Sequence, residues 1–400
     1  MPCSRHFANW KVHNHNMQTE RGNRVAGLFR SRFASEPELW ARAPGRVDLM
    51  GSHTDYNLGY VLTLPIGRDT WIAARPNGTR DVRLYSANLD EEDCFSLDHL
   101  DAAAARTWTN YVRGVAGVLA AEHLRVTGFD GVIDSTVPLG SGLSSSAALE
   151  CAAAVAFQSL GGWQLEPARM ARLCQRAEHE YLGVKCGILD QFSSCLGEEE
   201  CALLLDCLDL QTRPVPIAPG IQVMICNTCA PRQLVSAEYA LRRSQCEEGA
   251  KRLGVAALRH VSMMQLEARS GDLPPDVRKR SLFIVAENQR VLDLAEALSS
   301  GDRASLGRLF AESFAGARDL FEICSPPMLA MMQAMLAAPG VIAARQAGGG
   351  FGGCMVALVE RGCTTDFEAA VADSYREATG IRPEVYPVAA GRGASLLPHD

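Results

Sequence analysis

The chain has 400 residues, of which 47% are hydrophobic and 21% charged, and its formal net charge is -7. This composition is typical of a globular protein and not of a disordered or fibrous one, and the length favours two domains. The negative charge argues against general binding to nucleic acid or to anionic membranes, so we expect a small-molecule partner.

The cysteines indicate a reducing compartment. There are 14 of them, scattered singly through apolar segments, and the N-terminal residues lack the apolar core of a secretory signal. Cys226 and Cys229 form a Cys-x-x-Cys motif without a second pair or a nearby histidine, which argues against zinc or redox chemistry. No apolar run reaches the ~18 residues that a membrane span needs. We therefore expect free thiols and a cytoplasmic location.

Strands and helices alternate in the predicted first half. Residues 1 to about 20 lack periodicity and are expected to form a loose arm, and the apolar spacing of Asn23–Phe33 predicts a helix. The stretch Trp40–Gly51 is predicted to form strand, turn and strand, and the polar loop Gly51–Gly59 follows it. Further strands are predicted at Val61–Leu64, Thr70–Ala74, Val82–Ser86, Phe129–Thr136 and Cys201–Leu205, and helices at Tyr111–Leu124, Leu149–Leu160 and Pro167–Tyr181.

A proline-rich stretch, Arg213–Pro219, predicts a linker between an N-terminal domain, residues 1–215, and a C-terminal domain, residues 216–400. The predicted elements after it are strands at Ile221–Cys226 and Glu384–Val388, a strand, glycine-rich turn and strand at Val341–Val359, and helices at Ala237–Leu253, Leu282–Leu298, Arg303–Asp319, Pro327–Ala337 and Phe367–Ala378. Strands and helices mixed with an antiparallel hairpin predict an α+β fold in both halves.

The most informative stretch is the glycine- and serine-rich segment Val137–Ala148, which leads from a predicted strand into a predicted helix. Because a helix N-terminus presents free N–H groups and a positive dipole end, this segment predicts an anion cradle, most simply for phosphate. A plain turn that caps an alanine-rich core helix is the alternative. The segment has no P-loop lysine, and the chain has no protein-kinase signature.

A second glycine-rich segment contains Gly348, Gly350 and Gly353, which match Gly-x-Gly-x-x-Gly. A dinucleotide-binding fold needs a helix after this motif, whereas Cys354–Val359 predicts a strand, so we reject that fold. A hairpin with Phe351 at its tip could approach a ligand closely because glycine leaves room for backbone. A plain tight turn is the alternative.

Four polar residues are hard to explain structurally: Arg46, His53, Asp55 and Asp190. His and Asp two positions apart can form an Asx-type turn. Asp190 stands in an apolar segment, where a buried acid needs a partner such as arginine, and a helix cap is the alternative role.

Together these stretches resemble the GHMP small-molecule kinases, and within them the galactokinase family. Gly45–Asn57 is similar to the galactokinase sugar signature, Pro138–Ala148 to the family's phosphate loop, and Ala347–Gly353 to its glycine-rich third motif. Further similarities extend the resemblance over about residues 22–400: Trp108–Gly114, Cys186–Phe192, Ser236–Glu248, Glu287–Val291 and Val385–Val388. The resemblance implies a two-domain GHMP fold, with an N-terminal ribosomal-S5-like domain and a C-terminal ferredoxin-like α/β sandwich domain.

The resemblance implies phosphoryl transfer from MgATP to the anomeric hydroxyl of a sugar. By the same resemblance Asp190 is the catalytic aspartate, which accepts or orients the hydroxyl proton, and Arg46 lies beside it and the phosphoryl group. Ser146 and Glu178 are the implied Mg²⁺ ligands. The implied ATP-binding residues are Trp108, Gly140, Ser141, Gly142, Leu143, Ser144, Ser145 and Ser146, and the implied sugar-binding residues are Ser52, His53, Asp55, Gly187 and Tyr239.

The sugar signature departs from the family at Ser52, where galactokinases have a glutamate that contacts the sugar's C6 hydroxyl. Phe314 and Leu320 also stand where galactokinases usually have histidine and aspartate. We expect galactose as the substrate. Galacturonate, which would avoid carboxylate repulsion at Ser52, and L-arabinose, which lacks C6, are alternatives because removing an acceptor relaxes discrimination.

A further alternative is a non-catalytic sugar and ATP sensor, which the intact Ser144–Ala148 and the presence of Asp190 oppose. The oligomeric state is left open, with a monomer as the simplest expectation.

Overall fold

The chain forms two β-sheets with helices packed against them. The computed structural model describes residues 19–101, 108–231 and 235–398. The strands in this part of the chain are β1 (Leu39–Met50), β2 (Tyr60–Pro76), β3 (Asp81–Ser86), β4 (Glu91–Ser96), β5 (Phe129–Ser135), β6 (Cys201–Asp206), β7 (Thr212–Pro216), β8 (Ile221–Asn227), β9 (Val341–Gln346), β10 (Cys354–Glu360), β11 (Glu384–Val388) and β12 (Ser395–Leu396).

The helices in the same described residues are α1 (residues 19–33), α2 (Asn110–Ala121), α3 (Ser145–Gly161), α4 (Pro167–Ala177), α5 (Leu189–Leu196), α6 (Val235–Leu253), α7 (Met263–Ala268), α8 (Pro275–Ser300), α9 (Arg303–Asp319), α10 (Pro326–Ala337) and α11 (Thr364–Thr379). A π-helix, Glu178–Leu182, continues α4. None of the described helices is both long and apolar enough to cross a membrane.

The first sheet has eight strands in the described part of the chain, with the order β12-β1-β2-β5-β3-β4 and with β6 and β7 branching from β2. Its pairs are antiparallel except β3 with β5, which is parallel. The second sheet has four described strands in the order β11-β8-β10-β9, all antiparallel. The predicted α+β class is confirmed.

The hydrophobic core consists of clusters of buried side chains between the sheets and the helices, and between the two sheets. One apolar cluster packs α2, α3, α4 and α5 onto the first sheet, with Phe129, Phe157 and Phe192 at its centre. A second cluster joins the two sheets, since Leu62 of β2 shares it with Ile225 of β8. The helices α10 and α11 cover the far face of the second sheet. The two sheets are therefore packed together, and their junction is where the polar loops meet.

Several predicted elements differ from the observed ones because strand pairing overrides local signals. Trp40–Gly51 forms no turn: β1 is continuous, and a bulge at Pro44 and Arg46 absorbs the irregularity. Val61–Leu64 and Thr70–Ala74 belong to one strand, β2, of 17 residues, in which Pro65 lies opposite the bulge at Arg46. The short elements β4, β12, α5 and α7 were not predicted.

The predicted linker Arg213–Pro219 is wrong over its first half, where β7 pairs with β6 at the edge of the first sheet. Proline is tolerated on an edge strand because only one side of its backbone must pair. The strands change sheet between β7 and β8, while β12 returns to the first sheet. The domain boundary between residues 215 and 216 stays a prediction. The predicted N-terminal arm falls almost entirely on residues 1–18, outside the described residues.

Candidate active site

The phosphate-loop segment connects β5 to α3. Its turns use left-handed backbone at Gly140 and Gly142, with φ of 67° and 87°, and at Ser144, with φ of 59°. Ser144 occupies the N-cap of α3 without a side-chain cap bond, and its buried hydroxyl has no hydrogen-bond partner. The first N–H groups of α3 are therefore open to an anionic ligand. This geometry favours the anion cradle over a plain capping turn.

Arg46 joins this loop to Asp190. Its Nε donates to Asp190 Oδ1 at 2.8 Å, its Nη1 donates to the carbonyl of Gly142 at 2.7 Å, and its backbone N–H donates to the carbonyl of Leu143. Asp190 lies in the first turn of α5, but Ile188 is the N-cap and no side chain caps the helix. The side chain of Arg46 is 7% exposed and that of Asp190 is 27% exposed. Asp190 is thus an ion-pair partner and is accessible to a ligand.

His53 lies at the centre of an aromatic cluster with Tyr56, Tyr239 and Phe321. Burial lowers the pKa of His53 to about 4, although its hydrogen bond to the carbonyl of Gly349 opposes this shift. Because a carbonyl oxygen only accepts, the neutral ring donates from Nε2 to Gly349 at 2.9 Å and accepts at Nδ1 from the Tyr56 hydroxyl at 2.8 Å. His53 is therefore a neutral ring with a fixed orientation.

Asp55 and Gly187 are in direct contact. A Cβ placed on Gly187 would lie 1.4 Å from Asp55 Oδ2, so only glycine fits there. Burial raises the pKa of Asp55 to about 7; the backbone N–H of Tyr56 opposes this shift, and the negative charges of Asp190 and Asp48 add to it. A buried carboxyl with one short protein contact is suited to accept hydroxyl groups of a ligand.

The side chain of Ser52 has protein partners on both sides. Its hydroxyl donates to Asp48 Oδ2 at 2.6 Å and accepts from Arg345 Nη2 at 3.1 Å, and Ser52 is 1% exposed. Burial raises the pKa of Asp48, while the positive charge of Arg345 opposes this shift. Like His53, whose two ring nitrogens are both bonded within the protein, and unlike Asp55, Ser52 does not present a free polar group to the site.

Glu178 is held in the π-helix that follows α4, and π-helical turns are frequent at functional sites. Its Oε2 accepts from the Cys186 thiol at 3.1 Å and from Gln191 Nε2 at 2.9 Å, and Gln191 Nε2 also donates to Glu150 Oε2 at 3.0 Å. Burial raises the pKa of Glu178, and the negative charge of Asp190 adds to this shift. The arrangement concentrates carboxylates beside the phosphate loop.

A cavity of about 220 Å³ lies against the start of α3. It brings together the implied nucleotide residues Trp108, Ser145 and Ser146. The other lining residues were not predicted to bind a nucleotide: Thr70, Ser86, Asn88, Leu89, Tyr111, Ile133, Ser135, Leu139 and Leu149. Tyr111 could have been found, because it belongs to the Trp108–Gly114 motif. An apolar cavity next to a helix N-terminus suits a base whose phosphates lie on the loop.

The glycine-rich turn between β9 and β10 links the phosphate loop to the sugar-signature loop. Cys354 N–H donates to the carbonyl of Ser141 at 3.1 Å, and the carbonyl of Gly349 accepts from His53. Tyr239 packs against Gly349. Phe351, at the tip of this turn, also has contacts outside the two loops. Its N–H donates to the carbonyl of Ile323, and its ring lies under the Arg242 guanidinium. The turn is therefore a structural bridge across the site.

Comparisons with known proteins identify the family of the chain. Residues 27–76 match the galactokinase galactose-binding signature, residues 110–198 match the GHMP kinases N terminal domain, and residues 294–373 match the GHMP kinases C terminal family. A galactokinase of Chloroflexus aggregans is 43% identical over 378 residues, which cover 93% of this chain and 97% of that protein. A galactokinase of Pasteurella multocida is 40% identical over 92% of this chain and 97% of its own length.

Among solved structures, Lactococcus lactis galactokinase complexed with galactose is 32% identical and superposes with a TM-score of 0.89, covering 93% of this chain and 98% of that one. The GHMP fold that the sequence predicted is thereby confirmed. With three matching motifs in order and identities of this size over nearly the whole length, the chain belongs to the galactokinase family of the GHMP kinases.

Proposed function

We propose that the chain transfers the γ-phosphoryl group of ATP to the anomeric hydroxyl of galactose, giving galactose 1-phosphate. The observation that carries the proposal is the Arg46–Asp190 ion pair, which joins the phosphate loop to an acid close enough for its charge to act on Asp55. The galactokinase relatives and the galactose-binding signature support the same substrate.

Phosphoryl transfer needs positioning and charge stabilisation more than covalent chemistry. In the proposed mechanism Asp190 accepts the proton of the anomeric hydroxyl as that oxygen attacks phosphorus. Arg46 and the N-terminus of α3 stabilise the negative charge on the transferred group. Asp55 orients the sugar hydroxyls, and Gly187 leaves room for Asp55. The neutral His53 ring, with both nitrogens bonded within the protein, contributes to the wall of the sugar site. The ion pair keeps Asp190 oriented towards the loop that holds the phosphates.

Mg²⁺ fits the carboxylates beside the loop. The negative charges of Glu178 and Asp190 add to the burial that raises the pKa of Glu150, and Glu150 Oε1 is buried without a hydrogen-bond partner. Within the described residues no group of three or more His, Cys, Asp or Glu side chains is arranged to hold a metal ion. Mg²⁺ commonly uses one or two protein ligands together with substrate phosphates. We assign Ser146 and Glu178 as these ligands, and bound Mg²⁺ would neutralise phosphate charge.

The described cysteines are free thiols, which supports our placing the protein in the cytoplasm. The monomer expected from the sequence stays a prediction.

The substrate is tested by sugar-dependent ADP release with galactose, galacturonate and L-arabinose, and by locating the product phosphate by NMR. We expect galactose to have the highest kcat/KM and the phosphate to be on the anomeric oxygen. A preference for galacturonate or L-arabinose would show that the replacement at Ser52 has shifted specificity. Sugar and ATP binding without ADP release would instead identify a sensor.

The pH dependence of kcat/KM for galactose should follow the ionisation of Asp55. The ionised carboxylate accepts sugar hydroxyls, so protonation below its pKa of about 7 weakens binding. We expect kcat/KM for galactose to fall about tenfold for each pH unit below that value. The measurement is a profile from about pH 5 to about pH 8 at saturating ATP. His53 contributes little in this range because its pKa is about 4.

The Asp55→Asn variant is the control for this profile, since its amide does not ionise. Its kcat/KM should be low and should lose the dependence centred near neutral pH. An unchanged pH dependence in the variant would assign the titration to another group.

A further inference from the structure

The loop Gly51–Gly59, here called the sugar loop, has a backbone that its own sequence does not favour. Its φ values are 104° at Gly51, 66° at His53 and 57° at Leu58. Left-handed backbone is costly for residues other than glycine and persists only when surrounding contacts impose it. The sugar loop carries His53 and Asp55, so the contacts that impose its shape also set the position of these side chains.

Neighbouring residues of α8 hold both ends of the sugar loop. At its start, Gly51 N–H donates to Glu287 Oε1 at 3.4 Å. At its end, Tyr60 N–H donates to Asn288 Oδ1 at 3.1 Å. The side chain of Asn288 occupies the space beside Gly59, where a Cβ would come within 2.2 Å of Oδ1. The two ends of the loop are therefore fixed to one turn of one helix.

Arg345, at the end of β9, completes this attachment from the second sheet. It is fully buried, and it donates from Nη1 to the carbonyl of Leu49 at 2.7 Å and from Nη2 to Ser52 Oγ at 3.1 Å and Glu287 Oε1 at 3.3 Å. Burial by itself raises the pKa of Glu287, but the positive charges of Arg290 and Arg345 outweigh this effect and lower it. Glu287 is thus held as a carboxylate between two arginines.

A buried ion pair is weak evidence for stability, because desolvation offsets much of the attraction between the charges. The Arg345–Glu287 pair nevertheless has a geometric consequence. Its hydrogen bonds to the first sheet and the loop that follows β1 go to Leu49, Gly51 and Ser52, which lie in the sugar loop or just before it. Ser313 also donates to Glu287 Oε1 at 2.7 Å, which connects the pair to α9. These hydrogen bonds therefore fix the sugar loop relative to α8, α9 and β9.

We propose that Glu287, Asn288 and Arg345 are positioning residues for the sugar, which act by clamping both ends of the sugar loop. Ser52 belongs to this clamp. Its hydroxyl already donates to Asp48 and accepts from Arg345, so it sets the position of the loop and does not contact C6 of the sugar. The inference rests on the proposed function, because it concerns how the galactose site is held.

The clamp makes a specific prediction about kinetics. Variants that loosen it should raise the KM for galactose and leave the KM for ATP unchanged, because the nucleotide cavity and the phosphate loop make no contact with Asn288 or Ser52 among the described hydrogen bonds. A role in stability alone would reduce the amount of active protein, and so the apparent kcat, without changing either KM.

The test compares Asn288→Ala, Ser52→Ala and Arg345→Lys with Gln289→Ala, whose exposed side chain is next to the clamp but bonds only within α8. We expect the galactose KM to rise about tenfold in Asn288→Ala, which loses one hydrogen bond to the loop, and further in Ser52→Ala, which loses two, and in Arg345→Lys. Gln289→Ala should behave as the wild type. Circular dichroism confirms that each variant is folded, and the first two variants suffice if Arg345→Lys does not fold.

A second sugar distinguishes a positioning role of Ser52 from a direct contact with the C6 hydroxyl. The sugar is 6-deoxygalactose, which lacks that hydroxyl, and its binding is measured by competition with galactose. The clamp predicts that Ser52→Ala weakens both sugars by the same factor. Weakening of galactose alone would show a direct contact with the C6 hydroxyl and would overturn the inference for Ser52. An unchanged galactose KM in folded Asn288→Ala and Ser52→Ala would overturn the clamp. The proposed function fails separately, if the wild-type protein does not phosphorylate galactose.

Discussion

The Asp190→Asn variant is expected to lose at least about a thousandfold in kcat while it still binds galactose, because an amide cannot accept the hydroxyl proton. The shape of the side chain is preserved, and Arg46 keeps its hydrogen bond to the carbonyl of Gly142. The phosphate loop should therefore remain in place. The measurements are galactose-dependent ADP release for kcat and calorimetry for galactose binding.

Asp319→Asn provides the control, since Asp319 forms an exposed ion pair with the neighbouring Arg318 and lies in α9 outside the site. It should leave kcat and both KM values unchanged. If Asp190→Asn retained a tenth or more of the wild-type kcat, proton transfer to Asp190 would not be part of the rate-limiting chemistry, and Arg46 and the α3 N-terminus would carry the catalysis.

The Gly187→Ala variant should lose most of its affinity for galactose although it adds only a methyl group. The new Cβ would lie 1.4 Å from Asp55 Oδ2, far inside van der Waals contact. Asp55 is buried and is held by the Tyr56 N–H, so it cannot move aside without leaving its position in the site. Because a displacement of about 1 Å can cost about a hundredfold in activity, we expect a fall of this size in kcat/KM for galactose.

Separate titrations of galactose and ATP show where this loss arises. The KM for galactose should rise and the KM for ATP should not, since the clash is with a sugar-binding residue. Gly271→Ala is the matched control, because a Cβ there meets nothing within 4 Å and the backbone is not left-handed. A normal galactose KM in Gly187→Ala would mean that Asp55 is not required where the structure has it.

Local patterns in the sequence were sufficient for most of the elements. The helix α9 and the strand β11 were predicted with their observed bounds, because apolar periodicity and flanking breakers depend only on neighbouring residues. The continuity of β2 through Pro65 and the pairing of β7 were not predictable in this way. Both depend on a partner strand that is remote in sequence, which supplies hydrogen bonds that outweigh local breaking signals.

The site shows the same division. The polar residues that were hard to explain structurally, together with the resemblance to the family, led to the prediction of Arg46, Asp55, Gly187 and Asp190 as site residues. Their contacts join β1, the sugar loop and α5, and no spacing in the sequence encodes those distances. Ser52 shows the limit most clearly. The sequence indicated only that a glutamate was replaced, whereas the folded chain gives its hydroxyl two buried partners.

The motifs of the chain were sufficient to identify its family, and they led to the proposal of a phosphate loop and of an acid and an arginine for the transfer. Such motifs are readable because each needs particular residue types within a short stretch of backbone. The tertiary structure decided how the sugar loop is held and which side chains are left free to meet a sugar. These depend on Glu287, Asn288 and Arg345, whose contacts with the loop form only when α8 and β9 pack against the first sheet.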